Sequence, residues 1–524
     1  MNVRQRRART SALPVAPTTA PTNTSARAAL VTAVVSALVV LGPALRPGYV
    51  LVGDMVFVPR LRIDGNLIGL SSTTPRAVPS DAVVALLSAV LPGQVVQKLV
   101  LFAVLLAAGV GAGLVVRMGA IGTSAATAAA VWNPYVGERL AAGQWAVLVG
   151  YAALPWVLRG AWEWGAVSSG DRSTTARRAW LRVAVPVVLG SLGGPPAWFL
   201  VVLVALVGWV VGARARVLYR GGALLGGLLL LLALPWAVPA LIRPGGTVAN
   251  ASGAVFAPRA DTPFGLLVSI LTGGGIWNSD VVPAGRDTIP GAVAGCALLV
   301  LGVSGLVVAR RRVALAAGLA GVLGLALALL VALPEVGPAL AGWPATALLR
   351  DGARQVGPWV VAMSVGVGVA VDAIAQRRGA WRVAGGVGPA VALALLPGAT
   401  SASMGWGLAG RLAPVDYPHD YAQVAARVAG PSAAGAVVVV PFEAYRRAAW
   451  NRERSALDPL PRWLPAVTVA SSDLLVRRPA AVVRVPGEDP FAAAVHSALA
   501  STRPAVALAR LGVRWVVVDQ PGVS

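Results

Sequence analysis

Residues 313–333 read VALAAGLAGVLGLALALLVAL, a run that contains no charged side chain. A helix of this length can cross a bilayer, whose hydrocarbon core requires about 20 consecutive apolar residues. Similar blocks recur along the 524-residue chain, of which 57% is hydrophobic and only 12% is charged. A soluble domain carries about 25% charged residues, so most of this chain is expected to lie in a membrane.

The apolar blocks predict about eleven membrane-spanning helices, so that residues 28–402 form an all-α polytopic membrane bundle. Residues 1–27 begin with a cluster of arginines, and we expect them to be a disordered basic cytoplasmic tail. A signal peptide is disfavoured, because the first apolar block starts late and has no convincing cleavage site. The predicted spans are 28–45, 95–116, 119–135, 145–162, 180–193, 196–213, 221–242, 289–309, 313–333, 358–376 and 383–402.

The distribution of charge predicts the orientation of these spans. With the N-terminus in the cytoplasm, the inner segments and the adjoining span ends contain twenty arginines and three acidic residues. The outer segments contain nine acidic and ten basic residues, so their charges nearly balance. Basic residues concentrate on the cytoplasmic side of membrane proteins. We therefore predict a plasma-membrane protein whose N-terminus is cytoplasmic and whose C-terminus, after an odd number of spans, is extracytoplasmic.

The same orientation places the long connections outside the cell. Long ordered loops usually carry function, so we expect the working face of the protein to be the extracytoplasmic one. The predicted outer loops are 46–94, 243–288 and 334–357.

The last part of the chain, residues 403–524, differs in composition, because charged residues of both signs return. A segment of this size can fold as a small domain. We predict an extracytoplasmic α/β domain, with strands at 436–441 and 511–519 and helices at 421–428 and 491–500.

Composition also excludes several classes of protein. The formal net charge of +23 does not indicate nucleic-acid binding, because the arginines lie between apolar spans, as the positive-inside rule requires. The single cysteine, Cys296, excludes an intrachain disulfide, and two histidines are too few for a His-rich metal cluster. The sequence has no Walker A lysine motif, which disfavours an ATP-driven pump.

The candidate catalytic residue is Asp54, which lies in LVGDMVFVPRL at residues 51–61. It follows the first span closely and has apolar neighbours, so its carboxylate is expected to be partly desolvated. Desolvation is costly unless the group has a partner or a role, and a carboxylate here could act as a general base or a metal ligand. A helix cap or a turn aspartate is the alternative interpretation.

A second cluster follows the third predicted span, where Pro134 breaks the helix and frees backbone groups. The polar residues expected to gather there, at the membrane–water boundary, are Asn133, Glu138, Arg139 and Gln144. The Trp and Tyr residues between them are also typical of an aromatic belt. A substrate-binding site and a belt both explain this pattern, and Glu138 is the residue most worth testing.

The third cluster is LLRDGAR at residues 348–354, directly before a predicted span. Arg350 and Arg354 are four residues apart and would share one face of a helix. Facing a lipid phosphate, the two guanidinium groups would offer charge-assisted, bidentate hydrogen bonds. Alternatively, each arginine extends toward lipid headgroups or pairs with Asp351.

Three weaker segments have a functional and a simpler explanation each. Residues 79–91 form either an interfacial helix or an extension of the second span. The glycine-rich residues 273–287, which include Arg286, are either a mobile loop over a site or a solvated linker. Glu443 and Arg446 follow a predicted strand, where α/β folds gather ligands, but a solvated turn explains them equally.

Taken together, these features resemble the GT-C superfamily of membrane glycosyltransferases. The shared features are the number of spans, an aspartate in the first outer loop followed by interfacial helices, and an extracytoplasmic C-terminal domain. The stretches that resemble actinobacterial members, and more loosely YfhO-type membrane proteins, are LVGDMVFVPRL (51–61), AVWNPYVGERLAAGQWAVLVGYAALPW (130–156), LLRDGAR (348–354) and LGVRWVVVD (511–519).

The resemblance implies a sugar donor carried on a polyprenyl phosphate and transfer on the extracytoplasmic face, with or without a divalent cation such as Mg²⁺ or Mn²⁺. By the same resemblance, Asp54 would deprotonate the acceptor hydroxyl or help to hold a metal. Arg350 and Arg354 would bind the donor phosphate, and Glu138 would orient a sugar. Many members carry a recognisable pair of acidic residues in the first outer loop. Here Met55 follows Asp54, and the nearest other acid of the loop is Asp64.

The leading hypothesis is therefore a polyprenyl-phosphate-dependent glycosyltransferase that acts on a cell-envelope glycan or glycolipid. Its candidate substrate-binding residues are Asn133, Glu138, Arg139, Arg350, Asp351 and Arg354. Its expected partners are membrane lipid, the lipid-linked sugar donor and the glycan acceptor, and not nucleic acid. The alternatives are a transporter or flippase for a lipid-linked intermediate, which predicts inverted repeats, and a non-catalytic scaffold for envelope assembly.

Overall fold

A computed structural model describes residues 23–70, 77–167, 174–213, 218–242, 255–309, 311–341, 349–377, 401–429, 435–477, 482–487 and 489–519. Helices dominate up to residue 377, and strands occur only beyond residue 435 within these ranges. The helices of the first part are α1 (Asn23–Leu41), α2 (Ser80–Ser88), α3 (Gly93–Val115), α4 (Ala120–Val131), α5 (Pro134–Ala141), α6 (Trp145–Ala166), α7 (Thr174–Ser191), α8 (Pro195–Gly212), α9 (Leu218–Ile242), α10 (Gly265–Leu271), α11 (Ile289–Val308), α12 (Arg312–Ala332), α13 (Val336–Ala341) and α14 (Gly357–Arg377).

The predicted multi-pass membrane architecture is confirmed, but the count of about eleven spans is not. Seven helical segments among the described residues are long and apolar enough to cross a bilayer. They are Asn23–Leu45, Gly93–Val115, Pro195–Gly212, Gly221–Ile242, Ile289–Val308, Arg312–Ala332 and Gly352–Gln376. Helices α6 and α7 coincide with two further predicted spans but carry charged side chains, among them Arg159, Glu163 and Arg182. The predicted span 383–402 lies almost entirely outside the described residues.

The prediction of one continuous span at 119–135 is not confirmed. Helix α4 has only 12 residues, or roughly 18 Å, and is therefore shorter than a hydrocarbon core of about 30 Å. The chain breaks at Trp132 and starts again as α5, in which Asn133 is the N-cap and Pro134 occupies the first turn. For residues 79–91, α2 is a separate helix, because Pro92 and Gly93 interrupt the chain before α3.

The bundle is held by close contacts between small residues. Helix α14 packs against α4, α11 and α12, while α6 packs against α7 and α8. At the α11–α14 contact, a Cβ atom on Gly305 would overlap the backbone carbonyl of Gly366, and one on Gly366 would overlap that of Gly302. Membrane helices lack a strong hydrophobic drive to associate, so glycines that let backbones touch are a main source of their packing energy.

We therefore expect Gly305→Val to lower the melting temperature of the purified protein in detergent. Valine cannot fit against the Gly366 carbonyl without separating α11 from α14, and overpacking of this kind costs about 1–3 kcal/mol. The matched control is Gly226→Val in α9, where an added Cβ would meet no atom within 4 Å. Equal melting temperatures for the two variants would contradict the packing account.

The C-terminal part contains the strands that the sequence predicts. Its elements are α15 (His419–Val428), β1 (Ala436–Val440), β2 (Tyr445–Arg447), β3 (Ser455–Leu457), α16 (Leu460–Trp463), β4 (Thr468–Val469), β5 (Leu474–Arg477), β6 (Val482–Val485), α17 (Pro490–Leu499), α18 (Pro504–Arg510) and β7 (Val513–Val518). A parallel three-stranded sheet has the order β4–β1–β7, and β1 pairs with β7 over its whole length. Two small antiparallel pairs, β2–β3 and β5–β6, complete the strands.

The C-terminal part packs onto the loop that follows α1. Tyr49 pairs with Val415 through two backbone hydrogen bonds. The Gly53 amide donates to the Ser455 carbonyl, and the Gly53 carbonyl accepts a hydrogen bond from the Leu457 amide. The loop therefore pairs alongside β3 through Gly53. All three predicted outer loops and the C-terminal part meet at one end of the bundle, which we call the loop face.

Candidate functional site

Side chains at the start of α3 hold the segment that leads to Asp54 through hydrogen bonds. The side-chain amide of Gln97 accepts a hydrogen bond from the Val50 amide (2.9 Å) and donates to the Val50 carbonyl (2.7 Å). The Gln94 side chain accepts a hydrogen bond from the Gly48 amide at 2.7 Å. The two glutamines and Lys98, which donates to the Gly48 carbonyl, are the polar side chains of the first turns of α3, and their positions let the loop turn back over the end of the bundle.

Two glycines bring this segment into contact with the turn between α5 and α6. Gly53 and Gly143 both have positive φ angles, of 51° and 73°. A Cβ on Gly53 would overlap the Ala142 carbonyl, and a Cβ on Gly143 would overlap the Val52 carbonyl. Only glycine satisfies both conditions. As a result, the Asp54 amide donates a 3.0 Å hydrogen bond to the Ala142 carbonyl.

The half-buried carboxylate of Asp54 has one partner from the distant C-terminal part. The Tyr445 hydroxyl, at the start of β2, donates a short hydrogen bond to Asp54 Oδ1. Within the described residues, Oδ2 of Asp54 has no hydrogen-bond partner. The tyrosine therefore orients the carboxylate and leaves one oxygen available to accept a proton.

Tyr445→Phe is expected to reduce turnover by about tenfold, because removal of one charge-assisted hydrogen bond leaves Asp54 less well oriented. The melting temperature should change little, since the tyrosine ring is retained. Assays of activity and thermal unfolding on the same preparation separate the two effects. Unchanged turnover would show that the Tyr445 hydroxyl does not orient a catalytic group.

The second cluster centres on Arg139 of α5, whose side chain is fully buried. Its Nη1 donates to Gln144 Oε1 (2.6 Å) and to Asp351 Oδ2 (3.2 Å). Arg354 Nε lies 3.0 Å from the same Asp351 oxygen. Two arginines thus share one aspartate, and the group carries one net positive charge in a buried environment.

One edge of the Arg139 guanidinium is unused. Its Nε and Nη2 atoms, and Oδ1 of Asp351, are buried and have no hydrogen-bond partner among the described residues. The ring of Tyr135 covers the guanidinium plane, with 5.2 Å between Cζ and the ring centroid. A buried donor without a partner is costly. The Nε–Nη2 edge is also the side of arginine that binds two oxygens of a carboxylate or phosphate at once.

A third group of charged residues, formed by Glu138, Asp261 and Arg286, lies on the flank of α5 opposite the Arg139–Asp351–Arg354 cluster. Arg286 donates to Asp261 through Nε (3.1 Å) and Nη2 (2.8 Å), and both side chains are nearly fully buried. The Glu138 carboxyl group lies near that of Asp261. Burial and the nearby charge of Asp261 raise the pKa of Glu138 well above its ordinary value. Burial opposes ionisation of Asp261 too, but the charge and hydrogen bonds of Arg286 outweigh it and lower its pKa.

The structure corrects one prediction of local geometry and shows how the Asn133 side chain is bonded. Arg350 and Arg354 do not share a helix face, because the helix starts only after them and residues Gly352–Val356 form a 3-10 turn. Arg350 instead lies over the ring of Phe256, with 5.0 Å between Cζ and the ring centroid. Asn133 uses its side chain within the fold, since Oδ1 caps α5 and Nδ2 donates to backbone carbonyls of α4.

Glu443 and Arg446, which follow the strand predicted at 436–441, have different surroundings. Arg446 forms ion pairs with Asp458 (3.3 Å) and Asp519 (2.9 Å), which fasten β2 to the parallel sheet. Glu443 is exposed on the surface. The solvated-turn interpretation therefore describes Glu443, whereas Arg446 is a structural residue of the C-terminal part.

Sequence reasoning missed two residues of the site, Asp261 and Tyr445, and treated Arg286 as part of a linker. Asp261 and Arg286 are 25 residues apart in one loop, a spacing that no motif describes. Tyr445 is 391 residues from Asp54. Its proximity depends on how the C-terminal part packs on the loop face, which a single sequence does not reveal.

The described residues do not suit a divalent cation. They contain no group of three or more His, Cys, Asp or Glu side chains that could hold a metal ion. Asp54 has Met55 beside it and a tyrosine as its partner, and Asp351 and Asp261 are each neutralised by arginine. Mg²⁺ and Mn²⁺ require several oxygen ligands with spare negative charge. The three clusters of described residues therefore do not form a site for such a cation.

Comparisons with known proteins give a structural likeness only. No family model matches the sequence, and no curated protein matches it significantly. The solved structure of the arabinofuranosyltransferase AftD from mycobacteria is similar, with a TM-score of 0.57 and 19% identity over 85% of this chain and 31% of that one. A mutant form of AftD gives a TM-score of 0.56 with 19% identity over 85% of this chain and 33% of that one. This chain thus spans about a third of the length of AftD.

The oligosaccharyltransferase AglB from Archaeoglobus fulgidus has a TM-score of 0.43 and 13% identity over 94% of this chain and 69% of that one. The similarity to AftD is the stronger of the two likenesses, and it concerns the fold. The chain described here therefore shares a membrane-protein fold with part of AftD.

Proposed function

We propose that this chain is a glycosyltransferase of the plasma membrane that transfers a sugar from a polyprenyl-phosphate donor to a cell-envelope glycan or glycolipid. The observation that carries the proposal is the buried, unused Nε–Nη2 edge of Arg139 close to the Asp54 segment. An edge of this kind is a receptor for an oxyanion. The phosphate of a lipid-linked sugar is the oxyanion that a membrane-embedded enzyme of this fold would meet.

The proposed arrangement assigns one task to the Asp54–Tyr445 pair and one to the Arg139–Asp351–Arg354 cluster. Asp54, oriented by Tyr445, takes the proton of an acceptor hydroxyl through its free oxygen Oδ2. The acceptor oxygen then forms a bond to the anomeric carbon of the donor sugar, and the bond between that carbon and the phosphate oxygen breaks. The polyprenyl phosphate leaves with the electron pair, and Arg139 stabilises its negative charge.

The route to Arg139 passes beside Arg354. Arg139 and Asp351 are buried, whereas the Arg354 side chain is 20% exposed and is the part of the cluster nearest to the outside. Arg354 therefore meets the phosphate first and follows it inward. In this proposal the loop face is extracytoplasmic and the N-terminus cytoplasmic, in keeping with the arginine asymmetry of the sequence.

The test is reconstitution of the purified protein in nanodiscs with a panel of short-chain polyprenyl-phosphate sugars, arabinofuranose included. Incubation with envelope glycan acceptors should release polyprenyl phosphate together with an extended glycan, detected by mass spectrometry. Binding of no lipid phosphate, or movement of the donor across proteoliposomes without sugar transfer, would overturn the proposal and favour a scaffold or a transporter respectively.

A further inference from the structure

The buried group formed by Glu138, Asp261 and Arg286 has no task in the proposed sugar transfer, although Glu138 is adjacent in sequence to Arg139. Glu138 is 1% exposed and Asp261 is 8% exposed. Within the described chain, Oε1 of Glu138 has no hydrogen-bond partner. Such an arrangement is expensive to maintain and calls for a physical reason.

The surroundings of the Glu138 carboxyl group imply that it holds a proton. Arg286 already donates to both oxygens of Asp261, so Asp261 is held as a carboxylate. An ionised Glu138 would be a buried negative charge with an unpartnered oxygen among the described residues and a second carboxylate nearby, which disfavours ionisation. Glu138 is therefore the member of the pair that holds a proton.

The proton changes the charge that surrounds the oxyanion receptor. The ionisable groups that face Glu138 are Asp261 and Arg286 from the loop before α11, Arg139 and Tyr135 on its own helix, and Asp351 and Arg354 through Arg139. Three arginines oppose two aspartates, which leaves one net positive charge while Glu138 is neutral. Ionisation of Glu138 would cancel that charge beside Arg139.

We infer that Glu138 is a positioning residue whose proton keeps the Arg139 receptor net positive, so that binding of a lipid-linked oxyanion is coupled to the protonation of the Glu138–Asp261 pair. The inference rests on the proposed function, since it concerns regulation of the same oxyanion site. Its sign is fixed: affinity is greatest when the pair holds its proton and falls as the pH rises through the pKa of Glu138. The raised pKa of that group places the fall above the range in which an ordinary glutamate titrates.

The test measures binding of a probe whose own charge does not vary with pH. Methyl farnesyl phosphodiester carries one negative charge throughout and has the same phosphodiester linkage as a polyprenyl-phosphate sugar. In nanodiscs, the affinity of the wild-type protein should fall about tenfold as the pH is raised through the titration of Glu138, within the usual range of coupling between two sites. Glu138→Gln, which cannot ionise, should keep the higher affinity at every pH.

Matched variants separate this inference from the proposed function. Glu335→Gln, which removes an exposed acid between α12 and α13, should keep the wild-type pH profile. If the wild-type protein binds the probe with a pH-independent affinity, or if Glu138→Gln retains the wild-type profile, the coupling is wrong while the oxyanion site stands. If neither protein binds the probe at any pH, the proposed function itself fails.

A second measurement does not depend on the Glu138→Gln variant folding. A protonated buried carboxyl group has an infrared C=O stretching band that a carboxylate lacks. In the wild-type protein this band should be present wherever probe affinity is high, and it should disappear over the pH range in which that affinity falls. Absence of the band under the conditions of tight probe binding would overturn the inference.

Discussion

Replacement of Asp54 by asparagine is expected to reduce sugar transfer by about 10²- to 10⁴-fold, the usual contribution of a general base. Asparagine has nearly the same shape as aspartate, and its side-chain oxygen can still accept the hydrogen bond from Tyr445. The amide cannot take a proton from the acceptor hydroxyl, however. Donor binding, measured with methyl farnesyl phosphodiester, should remain close to that of the wild-type protein.

The control for this variant is Asp64→Asn, which removes an exposed acid from the same loop. Its turnover should be within a factor of about two of the wild-type value, because surface substitutions away from a site change little. Equal turnover for Asp54→Asn and Asp64→Asn would remove Asp54 from the mechanism. A large loss in both variants would point to a role for the loop as a whole.

The membrane architecture was predictable because apolar blocks and arginine positions act locally. Each block needs only its own length and composition to cross a bilayer, so helices such as α3 and α12 lie within two residues of their predicted bounds. At 119–135 the structure divides the predicted span into α4 and α5. The division lies where Pro134 predicts it, since an asparagine followed by proline is a common start of a helix.

The site was only partly predictable, because its members meet through tertiary packing. Arg139, Asp351 and Glu138 were identified because they lie close to apolar spans, where charge is costly without a partner. Their pairing was not, since Arg139 and Asp351 are 212 residues apart. Asp261 and Tyr445 left no local signal at all. Their roles depend on which loops reach the same point on the loop face.

The three clusters are linked by a single short helix. Helix α5 carries Glu138 and Arg139 as neighbours, so their side chains point to different flanks and meet different partners. The turn that ends α5 supplies the Ala142 carbonyl for Asp54 and the Gln144 side chain for Arg139. A substitution that displaces α5 is therefore expected to affect all three clusters.

Arg139→Lys is the second substitution with a large expected effect. Lysine retains the positive charge that Asp351 requires, but one ammonium cannot reach Gln144 and Asp351 while presenting a two-donor edge. We expect binding of methyl farnesyl phosphodiester to weaken by about 10- to 100-fold, the cost of losing a hydrogen bond to a charged group. Turnover at low donor concentration should fall by a similar factor.

Lysine is preferred to a neutral residue because removal of one member of a buried ion pair destabilises a protein by about 3–5 kcal/mol, which would confound the assay. Arg350→Lys is the matched control, since Arg350 lies over Phe256 and outside the Arg139–Asp351–Arg354 cluster. The two variants also decide which arginine binds the phosphate. Loss of binding in Arg350→Lys with normal binding in Arg139→Lys would move the oxyanion site to the Phe256 flank, and the buried edge of Arg139 would then have only a structural role.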